Sequence, residues 1–148
     1  MPAGLLRLIA TQREKHLFIK HEGASYDGST AVVSVDYIYL DEGVAIEETM
    51  HLIDDLLGDG SGRRDHCFSN GYTRFEKLQG LSIELAQLYA REQRFLPTSE
   101  DNPHEYFAQG VRAFLYQPGL LQREDPELFL FVRDKILNEN FWKEVFNL

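Results

Sequence analysis

Cysteine is almost missing from this sequence: Cys67 is the single one in 148 residues. No internal disulfide can form, and neither a CxxC pair nor the Cys/His spacing of a zinc finger can be built from it. The fold must stand on packing. Basic side chains are also scarce, 15 Lys+Arg against 24 Asp+Glu, for a formal charge of −9 and a pI near 5.0. A chain with that balance repels phosphate backbones, so nucleic acid is not an expected partner. Long apolar runs are missing too. The opening MPAGLLRLIATQREK turns polar before a secretory core could form, and no later run approaches a membrane span. The expectation is therefore a cytoplasmic protein, with export by a route lacking a cleavable signal left open. Apolar side chain, by contrast, is plentiful. The 43% hydrophobic and 12% aromatic content suffices for one core, and the length suits a single domain over residues 1–148.

Periodicity divides the chain. Leu5, Leu6 and Ile9 suggest a short amphipathic helix, and His16–Lys20 alternates as a strand does. After a turn at Tyr26-Asp27-Gly28-Ser29-Thr30, residues Ala31–Leu40 alternate again, which predicts a second strand paired with the first. From Asp41 the period lengthens. Ile46, Met50, Ile53 and Leu57 mark a helix ended by Gly58, and Gly58–Arg64 reads as an exposed loop. Phe75, Leu78, Leu81, Leu85 and Leu88 form a second helical stripe, and a third helix runs from about His104 to Tyr116, stopping at Gln117-Pro118-Gly119. Asp125-Pro126 opens a fourth, which turns Leu128, Phe131, Val132 and Ile136 inward, and the aromatic tail from Phe141 docks on the core. The plan is a small N-terminal sheet followed by packed helices.

The first long helix carries Glu47-Glu48-Thr49-Met50-His51. Glu47 and His51, four apart, project one turn apart and about 40° from each other around the axis, so both can reach one metal ion. HExxH zinc peptidases use this geometry, with the intervening Glu as general base toward bound water. Here the motif reads EExxH. A plainer reading treats Asp41 as a helix cap and the acidic residues as a solvated face favoured by the helix dipole. Glu48-x-x-His51 is also half of a di-iron carboxylate pattern, but the sequence has no second ExxH to complete it.

Further along stand Asn102-Pro103-His104-Glu105-Tyr106-Phe107-Ala108-Gln109-Gly110-Val111-Arg112-Ala113-Phe114, then Tyr116-Gln117-Pro118 and Pro126-Glu127-Leu128-Phe129-Leu130-Phe131. Together with EETMH, these segments resemble the anthrax-lethal-factor-type zinc metallopeptidase domain over roughly residues 15–140. The resemblance implies a zincin-like α+β fold. It puts Glu47, His51 and Glu105 in the metal-ligand positions and Glu48 in the position of the catalytic base, with Asp54 and Gln109 in support. The implied cofactor is Zn2+ or another divalent metal, with a metal-free site as the alternative.

Three residues depart from that family. Glu47 replaces the first His, Thr98 stands seven residues before Glu105 where a Tyr would stabilise the oxyanion, and Gln109 replaces a second acid. A Glu-His-Glu set is rich in oxygen, which weakens the preference for zinc over manganese or magnesium and acidifies bound water less. Among substitutes, His66 and Cys67 could swing in as ligands, but a loop His reads first as solvated and Cys67 as a small buried apolar residue. Tyr89 and Tyr106 could donate to an oxyanion, but both read first as half-buried helix aromatics, and His104 reads as a capping or surface residue. The expected function is a non-catalytic pseudopeptidase that binds a protein or peptide. A metal-dependent peptidase with Glu48 as base is the alternative.

Overall fold

A computed structural model describes residues 2–5, 25–27, 32–34 and 42–146. It corrects the fold class. Strand pairing among the described residues consists of β1 (Ser25–Asp27) and β2 (Val32–Ser34), antiparallel, with Tyr26 opposite Val33. A ladder of three residues per strand is far too small to support a core of its own. The described residues instead pack helix on helix, not in the α+β, zincin-like arrangement expected. Of the residues 31–40 read as one strand, the described part is Val32–Ser34; the strand expected at His16–Lys20 lies outside the described residues, as does most of the first helix.

The helices follow their expected periods closely. Helix α1 (Glu42–Leu57) buries Met50, Ile53 and Leu57, and it ends at Gly58 for a reason of packing. A Cβ there would stand 1.9 Å from the His66 carbonyl oxygen, so only glycine lets the following segment cross. Short 3-10 turns at Arg64–His66 and Phe68–Asn70 form that segment, and a third, Glu76–Leu78, leads into α2 (Gln79–Tyr89) with Leu81, Leu85 and Leu88 inward.

Helix α3 (Pro103–Tyr116) is capped by Asn102, whose side chain accepts the Glu105 N–H at 2.9 Å, with Pro103 preset for the first turn. Gln117-Pro118-Gly119 does stop it, but the chain re-enters a helix at once, α4 (Pro118–Glu124), because a proline that ends one helix also suits the first turn of the next. Helix α5 (Pro126–Phe131) is capped by Asp125 as expected and runs on through a π-type turn, Val132–Ile136, to α6 (Glu139–Phe146). Trp142 is fully buried and its indole N–H donates to the Ile136 carbonyl at 2.8 Å, so the aromatic tail does dock.

Candidate metal and peptide site between two helices

Helices α1 and α3 share the most extensive interface of the described elements. Three polar pairs cross it. Arg112 Nη1 donates to Glu47 Oε2 at 2.7 Å, His51 Nε2 lies 3.1 Å from Glu105 Oε1, and His104 Nδ1 lies 3.2 Å from Asp54 Oδ2. Residue numbers rise along α1 as they fall along α3, so the helices run antiparallel. The i, i+3 and i, i+4 spacings then set one residue of each pair above the next.

At the middle of this seam Glu47, Glu48 and His51 each offer a donor atom within 4.8 Å of the other two, and Glu105 joins them through His51. The electrostatics follow from crowding. Burial raises Glu48 from 4.5 to about 7; His51 pulls it down, while Glu47, Glu105 and Glu100 push it up. For His51 burial disfavours the charge, but the Glu105 hydrogen bond and the nearby charges of Glu105, Glu48 and Asp54 outweigh it and raise the value. Glu105 is lowered, chiefly by the His51 hydrogen bond against the opposing effect of burial, with Gln109 also hydrogen-bonded to it. His51 and Glu105 thus favour an ionised pair, and Glu48 holds a proton through much of the range below neutrality.

The structure therefore brings Glu47, Glu48 and His51 together on α1, while Glu105, the third expected ligand, meets this group through its 3.1 Å pair with His51. The donor set of two carboxylates and one imidazole on α1 can hold a divalent cation. Arg112 complicates it, because its guanidinium already neutralises Glu47 and would repel a dication there. Sequence reasoning missed Arg112. The signal was available: Glu105, Gln109 and Arg112, at intervals of four and three, share one stripe of α3.

Other expected roles change. Asp54 turns toward Ser69 and His104, accepting the Ser69 N–H and O–H at 2.6 Å each. His104 is accordingly neither a cap nor a surface residue. His66 stacks on Tyr72 and pairs with Asp59 at 2.7 Å, away from the cluster it was to replenish. Cys67 is buried, in keeping with its reading as a small buried residue, and burial first, then Asp54, Asp55 and Asp59, raise its thiol far above its ordinary value. Tyr106 is buried with its hydroxyl donating to Asp125, and Tyr89 donates to Asp101, so both hydroxyls are engaged elsewhere.

Beside the seam opens a cleft of about 660 Å³ whose lining includes Gly43, Phe95, Pro97, Thr98, Gln109, Arg112 and Tyr116. Thr98, at the expected oxyanion position, lines this cleft, and its hydroxyl accepts the Glu100 N–H at 3.3 Å. Gln109 and Arg112 connect cleft and cluster directly. Comparison with protein-family models, curated proteins and solved structures finds no match. Among the described residues no helix is long and apolar enough to cross a membrane.

Proposed function

We propose that this chain, whose EETMH and Asn102–Phe114 motifs resemble those of the lethal-factor-type metallopeptidases although its fold class differs, is a non-catalytic protein that binds a protein or peptide segment in the cleft beside α1 and α3. The observation that carries this reading is the 2.7 Å pair between Arg112 and Glu47. It sets a cation against Glu47, the first of the expected metal ligands, and neutralises that carboxylate without an ion. The cleft adds the surface: an extended segment can lie against Phe95, Pro97 and Tyr116 while its backbone groups meet Thr98 and Gln109. A random peptide library passed over the full chain, with Zn2+ and Mn2+ supplied, should yield bound sequences and no cleaved ones. Binding should weaken in Thr98→Trp, which narrows the cleft. Cleavage that disappears in Glu48→Gln would overturn the reading.

One observation favours a metal-dependent peptidase as the second reading: Glu48 sits near pKa 7 beside His51 and Glu105, where a general base belongs. In that role Glu47, His51 and Glu105 would hold Zn2+ or another divalent ion, and the ion would polarise the scissile carbonyl and its water. Glu48 would accept the water's proton, and Gln109 would orient Glu105. Less than about one tenth of an equivalent of any transition metal after saturation and desalting sinks this reading.

A further inference from the structure

The end of α1 holds a second cluster with different chemistry. Asp54, Cys67 and His104 each present a donor atom within 4.8 Å of the other two, Asp54 and Cys67 being buried and His104 partly buried. They come from three separate segments: α1, the 3-10 turns that follow it, and the first turn of α3. We propose that Asp54, Cys67 and His104 form a binding site for a thiophilic divalent cation, Zn2+ foremost, that ties these three segments together. One carboxylate, one thiolate and one imidazole carry two negative charges and neutralise a dication, and sulfur with nitrogen selects zinc over magnesium or calcium. Ser69 Oγ, 2.6 Å from Asp54 Oδ2 and 3.2 Å from His104 Nδ1, supplies an adjacent oxygen.

The backbone around the donors is held in place. Gly58 lets the chain at His66 and Cys67 cross directly over the end of α1, and the Asp59 N–H donates to the His66 carbonyl at 3.3 Å. Thr73 Oγ1 donates to the Leu57 carbonyl at 2.5 Å and Arg74 N–H to the Gly58 carbonyl at 3.2 Å, strapping the far end of the segment to the same helix terminus. Donors around a tetrahedral zinc stand about 3.3 to 3.8 Å apart, so side-chain rotation of roughly an ångström closes the site without moving the backbone. Binding releases the Cys67 thiol proton to solvent, and any proton shared between His104 Nδ1 and Asp54 leaves that nitrogen. No oxidation or reduction is involved.

Cobalt distinguishes this site from the Glu47 cluster, because Cys67 is the only sulfur ligand of its kind in the chain. Co2+ titrated into the full chain should give a near-ultraviolet thiolate-to-cobalt charge-transfer band that saturates at a single equivalent and is displaced by Zn2+. The band should vanish in Cys67→Ser, weaken in His104→Gln and persist in Glu47→Gln. Zinc should also raise the melting temperature by roughly 5 °C or more in the parent chain and not in Cys67→Ser. Absence of the band from the parent chain overturns the proposal whether or not the variants fold. Cobalt binding without a sulfur band overturns it as well, and assigns the ion to Glu47, Glu48 and His51.

Discussion

Arg112 donates to Glu47 across α1 and α3 at 2.7 Å, and this one contact decides the character of the acidic cluster. Replacing Arg112 by Met releases Glu47 into a site already holding Glu48 and His51. We expect a loss of about 1 to 2 kcal/mol in metal-free buffer, since the pair is partly buried, together with a roughly tenfold gain in Mn2+ affinity. Urea melts and calorimetric titration measure the two effects separately. A variant with unchanged metal affinity would show that the guanidinium does not guard the cluster.

The raised Glu48 and His51 values set a pH dependence with a definite sign. A carboxyl group raised from 4.5 to about 7 by folding stabilises the protein while protonated, and this contribution falls away as pH climbs through that interval. His51, also raised, contributes fully below 6.5 and loses its contribution above its folded value. Glu105, lowered, acts oppositely: its contribution is present above 4.5 and is lost as pH falls through the lowered value. The cluster therefore stabilises the fold most near pH 4.5, where folded Glu105 has ionised and Glu48 and His51 both keep their protons. Glu48→Gln should remove the Glu48 part of the alkaline loss and leave that of His51, gaining about 2 kcal/mol on the parent chain between pH 5 and pH 8 in urea melts with chelator present.

Asp125 is the polar hub beneath α5. It caps the Leu128 N–H, receives Arg91 at 2.6 Å, accepts the Tyr106 hydroxyl at 2.7 Å and the Phe95 N–H at 3.1 Å, and is itself 1% exposed. Asp125→Ala strands several donors at once and should cost about 3 to 5 kcal/mol, whereas Tyr106→Phe, which removes one donor, should cost about 1. Equal losses in chemical denaturation would contradict the hub.

Two glycines make close approaches of different kinds. A Cβ at Gly58 meets backbone, the His66 carbonyl, at 1.9 Å, while one at Gly110 meets the Leu128 side chain at 2.7 Å. Side chains can yield and a strapped backbone cannot. Gly110→Ala should cost about 1 to 3 kcal/mol and leave a cooperative transition. Gly58→Ala should cost more and shift the 66–74 segment, read as loss of amide exchange protection there.

Much of this molecule was legible in its sequence. The stripe of Ile46, Met50, Ile53 and Leu57 determined α1, Asn102-Pro103 and Asp125-Pro126 determined two helix starts, and the spacing of Glu47 and His51 put both on one face. All of these are local, because helix period and capping involve residues within a turn or two of each other. Fold class was not local. Alternation over residues 31–40 indicates which side chains share a face and says nothing about how much sheet the chain builds, and the described ladder is too small to organise a core. Only tertiary packing matched Arg112 to Glu47, and brought to Asp54 both Cys67, which seemed placed to repair the motif, and His104, which read as a cap or surface residue. The register in which α3 lies against α1 is a property of two whole buried faces meeting, and no short stretch of sequence contains it.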